Sequence, residues 1–291
     1  MHAIPLTPIL LGASSLGSRD GADELADALI HSPLGGVDTS NAYAGGRSEA
    51  RLGEAIRRAG GLPAGTLVYS KADADESGRF DGDRVRRSLD ESLTRLGVDR
   101  LPLYHLHDPY TITHDEAMGR GGAVEALIRA RDDGVIGAIG IASGTMAQVH
   151  GYVQTGAFDA VLSHNRYTLV DRSAHATFAL ARELGMTVIN AAPFGGGTLA
   201  NGSGNYGYRE MPADFAAHLQ RVRALADEHG VDLAAAALHF SLTSPLVDAT
   251  VVGITSTARL AALDGLVTAD VPAEFFAAVD ALGAPPPSGT D

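Results

Sequence analysis

The feature that most constrains the fold of this chain is a regular alternation of short apolar segments with longer amphipathic ones. Several short segments are apolar on both alternating faces, which is typical of parallel strands that helices cover on both sides. Many of the longer segments begin with Asp, Ser or Thr and end with Gly, as capped helices do. The strands are predicted at residues 8–14, 35–39, 66–72, 100–107, 137–143, 158–164, 186–192 and 248–254.

Eight strands, each followed by a helix, predict an α/β protein, a single-domain (β/α)8 TIM barrel over residues 1–283. The alternative, an open doubly wound sheet, is disfavoured because no G-x-G-x-x-G follows the first strand. After the seventh strand, a Gly-, Asn- and Tyr-rich loop at 193–212 delays the next helix, predicted at 213–230, and is too long for a mere connector. Residues 284–291 are predicted to form a Pro-rich, mobile tail.

Composition and charge narrow the possible partners. Lys and Arg number 22 against 35 Asp and Glu, a formal charge of −13, so the sequence predicts neither a nucleic-acid nor a membrane partner. The chain has no cysteine, hence no disulfide, thiolate metal site or cysteine nucleophile. It also lacks the pattern of a signal peptide and the ~20 apolar residues of a membrane helix. A soluble, cytoplasmic protein is expected, with a small molecule as its partner.

Polar residues at the C-terminal ends of the strands carry the most functional weight, because active sites of such barrels lie there. Asp38 ends strand two, Lys71 strand three and His107 strand four, and Tyr43 lies on the loop just after Asp38. Taken singly, the aspartate could cap a turn, the tyrosine could lie on the surface and the histidine could bond the strand end. An ammonium at the end of a buried strand is harder to explain, because it needs a charged partner or a function.

Together the four residues form an acid–base device. The ordinary pKa of tyrosine is near 10, an adjacent ammonium lowers it, and a carboxylate keeps that ammonium charged and in place. A histidine opposite the tyrosine can orient the substrate oxygen by a hydrogen bond. The set suits proton transfer at an oxygen while hydride moves at its carbon, which requires a nicotinamide cofactor, NAD or NADP.

Several segments carry a family resemblance, in the expected order along residues 8–265. "GGVDTSNAYAGGRSEARLG" is similar to an Asp-Thr-x-x-x-Tyr-x-x-x-x-x-Ser-Glu-x-x-Leu-Gly signature, "LVYSKA" to a strand-three lysine segment and "YHLHDP" to a strand-four histidine segment. Together they resemble the aldo-keto reductase superfamily. The resemblance implies that Tyr43 is the general acid/base and that Lys71 lowers its pKa. It also implies that Asp38 pairs with the lysine beside the nicotinamide ribose, and that His107 orients the substrate oxygen.

The same resemblance implies where the nicotinamide end of the cofactor lies. Ser143 would bond the nicotinamide carboxamide. The backbone of Phe194, Gly195 and Gly197 would approach the pyrophosphate, where the absence of a β-carbon permits close contact. The alternative for the glycines is a simple bend of the loop, and for Phe194 packing within it.

The segment "VVGITSTARLAAL", residues 251–263, resembles the part of the family that holds the adenosine end. Arg259 matches an arginine near the adenine and the 2′-phosphate. Gly253 stands where the family often has a lysine, and the loss of that lysine removes a phosphate contact. NAD is therefore slightly favoured over NADP, although Thr255 and Arg259 could still bind a phosphate.

Other departures from the family concern the pocket itself. Gly144 stands in place of an asparagine, and Ala191 or Ala192 in place of a tyrosine that often stacks on the nicotinamide. The N-terminal hairpin is reduced or absent, and the loop after Lys71 is short. An open or differently shaped substrate pocket is expected.

Within the superfamily, "HNRYTLVD" at 164–171 most resembles the branch of sugar 1-dehydrogenases (L-fucose, L-galactose and D-threo-aldose types) and pyridoxal 4-dehydrogenase. This resemblance implies oxidation of the anomeric hydroxyl of an aldose to a lactone, with Tyr43 taking the hydroxyl proton. His164, Asn165 and Arg166 are then candidates for the sugar or cofactor pocket, although Asn165 could instead hold the turn at the strand end. A pyridoxal-type dehydrogenase or a general aldehyde or ketone reductase is the alternative.

Two readings from other classes compete. His105 and His107 lie on one strand face, as ligands of a metal-dependent hydrolase barrel do. In such hydrolases the pair usually lies on strand one, so His105 is predicted to be an inner-layer barrel residue. The second reading is a non-catalytic NADP-sensing subunit, against which all four catalytic residue types are present.

Overall fold

The computed structural model describes residues 2–289. Within this part of the chain the predicted strands are all present, each inside its predicted range, and they close into a parallel barrel. The barrel strands are β1 (Ile9–Gly12), β2 (Gly36–Asp38), β3 (Val68–Ala72), β4 (Tyr104–His107), β5 (Ile139–Ala142), β6 (Ala160–His164), β7 (Thr187–Ala191) and β10 (Ala249–Gly253). Each pairs with the next along the chain, and β10 pairs with both β7 and β1. The short strands β8 (Asn205–Tyr206) and β9 (Arg209–Glu210) form an antiparallel hairpin outside the barrel.

Helices cover the outside of the barrel, so the (β/α)8 prediction is confirmed. Those between successive strands are α1 (Ala22–Ile30), α2 (Arg47–Arg58), α3 (Gly82–Leu96), α5 (Ala123–Asp132), α6 (Met146–Gln154), α7 (His175–Glu183) and α10 (Leu233–Leu242), with α11 (Thr257–Thr268) after β10. The further helices are α4 (His114–Met118), α8 (Thr198–Asn201), α9 (Ala213–His229) and α12 (Ala273–Asp280). Caps fix several ends: Asp81 accepts from the backbone N–H of Arg84 at the start of α3, and Gly97 ends that helix with a φ of 70°.

The barrel helix that follows β7 is α10, and not the segment predicted at 213–230. That segment forms α9, whose Phe215 packs with Phe275 of α12 in a separate cluster beside the barrel. Helix α10 lies against the strands, where Asn190 of β7 donates to Ser241 at 2.8 Å. Its sequence, "LAAAALHFSL", has apolar or small residues around most of the helix and so lacks the amphipathic period that indicates a surface helix.

The barrel interior is apolar at the N-terminal ends of its strands. Leu10, Tyr69 and Leu103 belong to one buried cluster there. The chain before β1 crosses this end without forming a strand, and the Tyr69 hydroxyl donates to the carbonyl of Pro5 at 2.6 Å. Within the described residues no hairpin precedes β1, which agrees with the prediction, and the polar residues of the interior collect at the opposite end.

The predicted tail, residues 284–291, is described as far as Gly289. Ser288 is only 5% exposed, and a β-carbon at Gly289 would lie 3.1 Å from Pro212. This part of the segment packs on the protein, and Thr290 and Asp291 lie outside the described residues. Among residues 2–289 every helix is too short or too polar to span a bilayer.

Candidate active site

The loop after β2 turns back over the end of its own strand. Thr39 holds the start of the loop, with its hydroxyl 2.7 Å from that of Ser48 on α2. The 3-10 turn Tyr43–Gly46 then reverses the chain. Ala44 has a φ of 54° and the two glycines after it also lie in the left-handed region. This reversal brings the centre of the Tyr43 ring to 4.8 Å from Lys71 Nζ.

Lys71 and Asp38 form a buried ion pair. The Nζ atom lies 2.7 Å from Asp38 Oδ1 and donates to the carbonyl of Thr39 at 2.6 Å. Lys71 is 1% exposed and Asp38 4%. Burial lowers the pKa of the lysine, but the charge of Asp38 and the nearby Tyr43 outweigh it, so the net pKa is raised. The ammonium is therefore charged and fixed beside the phenol.

The pKa of Tyr43 differs from the expectation. Burial raises it most, the Lys71 ammonium lowers it, Asp38 raises it again, and the result is a pKa raised to about 12. The lysine acts in the expected direction, but the cost of placing a phenolate in a buried site is larger. At neutral pH the phenol is protonated and is a hydrogen-bond donor.

His107 has a buried partner that the sequence reasoning missed, Asp73. His107 Nδ1 lies 2.6 Å from Asp73 Oδ1. The other carboxylate oxygen accepts from the Ser40 hydroxyl and, at 2.9 Å, from the backbone N–H of Ala42. Burial raises the pKa of Asp73, but His107 and these two donors outweigh it, so the pKa is lowered. The carboxylate is ionised and ties His107 to the loop that carries Tyr43.

A signal for Asp73 exists in the sequence. It lies two residues beyond Lys71, at the spacing that puts side chains on one face of a strand. The acidic, turn-like segment "ADADESG" hides it, because such segments usually form solvated loops. In the structure Asp73 is only 7% exposed.

The catalytic candidates meet at a cavity of about 660 Å³ at the C-terminal ends of the strands. Tyr43 and His107 contact each other edge to face, with ring centres 5.6 Å apart. On the far side the cavity is bounded by aromatic residues, Tyr110 after β4 and Tyr208 at the tip of the β8–β9 hairpin. The structure thus brings all four predicted residues, Asp38 included, to one cavity.

The resemblance implies that Ser143 bonds the nicotinamide carboxamide, and this stays a prediction. Its hydroxyl donates to the Tyr110 hydroxyl at 3.1 Å, and the N–H of Gly144 points to the same oxygen at 3.3 Å. Two donors that converge on one oxygen suit the carbonyl oxygen of a carboxamide. A nicotinamide at this position would replace the contact with Tyr110.

The glycine loop after β7 forms the 3-10 turn Gly195–Gly197. Gly195 has a φ of 57°, and a β-carbon there would lie 2.3 Å from the ring of Tyr206 in β8. The turn therefore packs closely against the hairpin. Phe194 is half-buried and packs against both core clusters at this end. A direct contact of Phe194 or the glycines with the pyrophosphate stays a prediction.

Of the adenosine candidates, Thr255 lines a second cavity of about 330 Å³ between the loops after β1 and β10, whereas Arg259 does not line it. Ser14 and Gly253 line the first cavity, and their near neighbours Ser15 and Thr255 line the second, so the two adjoin. That the two cavities hold the two ends of a dinucleotide stays a prediction. Arg259 is exposed on the first turn of α11, and its backbone N–H donates a hydrogen bond to the Ser256 hydroxyl.

On the substrate side, the departure from the family at Gly144 explains how His164 fits. His164 ends β6 and lines the cavity. A β-carbon at Gly144 would lie 2.7 Å from the His164 ring, so the histidine fits only because the asparagine of the family is absent. Burial lowers the pKa of His164, although Asp108 acts against this. At neutral pH the ring is uncharged and can bond a sugar hydroxyl.

Asn165 and Arg166 differ in how they reach the cavity. Asn165 has a φ of 60°, and its Nδ2 lies 3.2 Å from His164 Nδ1. Its side chain does not line the cavity, so it contacts the site through His164. Arg166 does line it, and its Nε donates to the carbonyl of Gly144 at 2.7 Å. The substrate role of Asn165 stays a prediction.

His105 lies inside the barrel and is fully buried. Burial holds its pKa well below the ordinary value. Among residues 2–289 no three His, Asp or Glu side chains are arranged to hold a metal ion. The hydrolase alternative thus lacks a ligand set in the described part of the chain.

A closed (β/α)8 barrel with a buried Lys–Asp pair, a tyrosine and a histidine at its C-terminal rim defines an oxidoreductase of the aldo-keto reductase type. The chain belongs to this family, because the family model described as "Aldo/keto reductase family" matches residues 8–284.

Known proteins of similar sequence come from the predicted branch. The chain is 30% identical to D-threo-aldose 1-dehydrogenase of Pseudomonas sp. over 301 residues, 91% of each chain. It is 27% identical to pyridoxal 4-dehydrogenase of Microbacterium luteolum over 96% of this chain and 95% of that one. Among solved structures, aldo-keto reductase AKR11C1 of Bacillus halodurans (holo form) is 23% identical with a TM-score of 0.76, covering 95% of this chain and 92% of that one. The last likeness supports the fold alone.

Proposed function

We propose that the protein is an NAD(P)-dependent dehydrogenase that oxidises the anomeric hydroxyl of an aldose to a lactone. The observation that carries this proposal is the cluster of the buried Asp38 and Lys71 with the half-buried Tyr43 and His107 at the cavity. The similarity to D-threo-aldose 1-dehydrogenase and, at 26% identity, to L-galactose dehydrogenase of Arabidopsis thaliana supports a sugar substrate. A cytoplasmic location stays a prediction from the sequence.

In this proposal the chain binds the substrate oxygen from two sides. The Tyr43 hydroxyl hydrogen-bonds to it, and the Lys71 ammonium is fixed beside the phenol. His107 bonds the same oxygen from the opposite side. The oxidised nicotinamide, held by Ser143 and the loops after β7 and β10, supplies the hydride acceptor. The family resemblance implies that Tyr43 takes the proton of the substrate hydroxyl.

NAD is the favoured cofactor. Gly253 offers no cation for a 2′-phosphate, and a β-carbon there would meet nothing within 4 Å. The second cavity is lined by one arginine, Arg19, and by the carboxylates Asp20 and Glu24. Carboxylates accept hydrogen bonds from a ribose diol and repel a phosphate.

The first test is absorbance at 340 nm with NAD or NADP and a panel of aldoses, pyridoxal and simple aldehydes. We expect aldose oxidation with NAD, and a loss of at least about 100-fold in kcat/KM for Tyr43→Phe. Tyr167→Phe is the matched control, because it removes a hydroxyl that bonds Ser244 outside the cavity. Equal activity of Tyr43→Phe and the wild type would overturn the site assignment.

A pyridoxal-type dehydrogenase is the second candidate. The similarity to pyridoxal 4-dehydrogenase favours it, and Tyr110 and Tyr208 at the cavity could stack on a pyridine ring. Turnover of pyridoxal but of no aldose would select it, and turnover of open-chain aldehydes alone would indicate a general reductase. Cofactor binding without turnover of any substrate would indicate a sensing subunit.

A further inference from the structure

Helix α3 turns a row of polar side chains toward the barrel rim. Arg84, Ser88, Glu91 and Arg95 recur at helical spacing and therefore lie on one side of the helix. Arg84 is 6% exposed and Ser88 is fully buried, whereas Arg86 on the other side is exposed. A buried guanidinium is tolerated only where its N–H groups are bonded. The partners of Arg84 therefore indicate what it does.

The guanidinium of Arg84 connects two segments of the candidate active site. Its Nε donates to the carbonyl of Asp73, the residue after β3, at 2.9 Å. Its Nη2 donates to Oδ1 of Asn41, on the loop after β2, at 2.7 Å. Glu91 on the same helix accepts from Nη1 at 3.0 Å and from Nη2 at 3.3 Å, which fixes the plane of the guanidinium. One side chain outside the barrel thus sets the distance between these two segments.

Asn41 is held from α3 through both its side chain and its backbone. Its Nδ2 donates to the carbonyl of Ser88 and to Glu91 Oε2, both at 3.1 Å. Its backbone carbonyl accepts from Arg95 at 2.9 Å. Asn41 is 4% exposed. The loop is therefore fixed two residues before Tyr43.

The turn that follows Asn41 needs support from outside. Ala44 has a φ of 54°, and the two glycines after it also lie in the left-handed region. Such residues in succession persist only where the surroundings hold them. Arg95 packs on the far end of the turn, where a β-carbon at Gly46 would lie 2.6 Å from the guanidinium carbon. Tyr43 thus lies between two points that α3 holds in place.

We propose that Arg84 is a positioning residue, which joins the loop after β2 to the end of β3 and so fixes the Tyr43 hydroxyl in its reactive position. This inference rests on the proposed function, in which Tyr43 exchanges a proton with the substrate oxygen. Arg84 lies outside the residues that line the cavity, so it acts through the segments it bonds. A displacement of about 1 Å at a reacting group can lower a rate about 100-fold.

The arrangement requires an arginine. The planar guanidinium donates in several fixed directions, whereas the ammonium of a lysine is a single nitrogen on a flexible stem. Arg84→Lys therefore keeps a positive charge beside Glu91 but cannot keep the bonds to Asp73 and Asn41 together. Arg86→Lys is the matched control, because Arg86 lies on the same helix and bonds only exposed groups such as Asp83.

The first experiment needs no substrate. Hydrogen–deuterium exchange with mass spectrometry follows a peptide that covers residues 40–47 and, as an internal reference, a peptide that covers β7. In Arg84→Lys we expect exchange at least about 10-fold faster in the first peptide and unchanged in the second, because the loop opens locally. Arg86→Lys should change neither. Equal acceleration of both peptides in Arg84→Lys, or of neither, refutes the proposal.

Asn41→Ala tests the same connection from its other end and decides the question if Arg84→Lys does not fold. It removes the acceptor Oδ1 and leaves Arg84 bonded to Asp73 and Glu91. We expect the same local acceleration over residues 40–47, with no change in β7. Exchange at the wild-type rate in that peptide refutes the proposal.

The second experiment is kinetic and uses the substrate that the wild type oxidises fastest. For Arg84→Lys we expect kcat to fall at least about 10-fold. The Kd of the reduced cofactor and the number of its sites, both measured by nicotinamide fluorescence, should not change. The isotope effect on kcat with substrate deuterated at the oxidised carbon should be at least as large as in the wild type, because transfer at that carbon limits the rate. A loss of activity that matches a loss of cofactor sites would indicate partial unfolding and refute the positioning role.

The two experiments distinguish this proposal from the proposed function. If the wild type oxidises no substrate, the proposed function is contradicted, and the exchange data still decide whether Arg84 holds the loop. If the loop opens in Arg84→Lys but kcat does not change, the positioning role is refuted and the proposed function stands.

Discussion

The two sides of the barrel rim hold the two parts of the proposed site and are built differently. At β2–β4, charged and polar side chains are buried and bonded to one another, and Lys71 is only 1% exposed. At β7 and β10 the site consists mainly of backbone, with the left-handed turn Gly195–Gly197 and the exposed Gly253. Charges that act on a transition state need a fixed, dry setting, whereas a phosphate-binding surface needs accessible N–H groups. Substitutions that remove a charge should therefore have the larger effect at β2–β4, and substitutions that add atoms should have the larger effect at β7 and β10.

The largest effect is expected for Lys71→Met. The substitution leaves the Asp38 carboxylate buried without its ammonium, which should cost about 3–5 kcal/mol in the free energy of unfolding. Oxidation should fall at least about 100-fold, because Tyr43 loses the adjacent charge. Urea unfolding and the 340 nm assay measure the two effects.

An exposed ion pair provides the control for this prediction. Arg58 and Asp27 are 2.9 Å apart and nearly half exposed. Arg58→Met should change the free energy of unfolding by no more than about 1 kcal/mol, because water screens the pair. If Lys71→Met and Arg58→Met lowered the free energy of unfolding by similar amounts, burial would not increase the cost of breaking an ion pair here.

The next effect concerns added atoms on the other side. Gly195→Ala puts a methyl group 2.3 Å from the Tyr206 ring at a φ of 57°. Backbone strain and overpacking should together cost about 2–4 kcal/mol. Gly202→Ala is matched in backbone, with a φ of 75°, but a β-carbon there meets nothing within 4 Å. Gly202→Ala should lower the free energy of unfolding by only about 1–2 kcal/mol. If urea unfolding gave the same loss for Gly195→Ala, the contact with Tyr206 would contribute nothing to the cost.

The sequence predicted the positions of the rim residues of β2–β4 better than the surroundings of the loop after β7, for a physical reason. Asp38, Lys71 and His107 lie on short strands whose apolar residues fix their ends, so position along the chain indicated position on the rim. Helix α10 was missed because it is covered on most faces and carries no amphipathic period. The glycine turn of β7 was recognised, but its contact with Tyr206 depends on a hairpin that the composition of the loop does not specify.

Two features of the catalytic side could not be derived from residue types. The direction of the Tyr43 pKa depends on how far burial outweighs the lysine, and burial is a property of the folded chain. Asp73 lies in a segment that resembles a solvated turn, and only the fold brings it to His107. Sequence patterns thus identified the groups present but not the protonation states that their surroundings impose.

A smaller effect tests the coupling of Gly144 and His164. Gly144→Asn restores the residue of the family, but its β-carbon would lie 2.7 Å from the His164 ring and displace it from the cavity. The KM for the sugar should rise about tenfold, or about 1.4 kcal/mol. In the double variant with His164→Ala, adding the asparagine should change KM little, because the clash is gone. Additive effects in this cycle would show that Gly144 and His164 are not coupled.

The smallest effect is expected where the site is most open. A β-carbon at Gly253 would meet no atom within 4 Å, so a lysine fits there without strain. Gly253→Lys returns the cation that the family often has, and a charge-assisted bond to a 2′-phosphate should lower the KM for NADP about fivefold, or about 1 kcal/mol. The gain should shrink with added salt, because the position is exposed. Gly253→Met, similar in length but uncharged, controls for bulk: if it matches the lysine variant, or if the KM values for NAD and NADP fall together, the glycine does not set the cofactor preference.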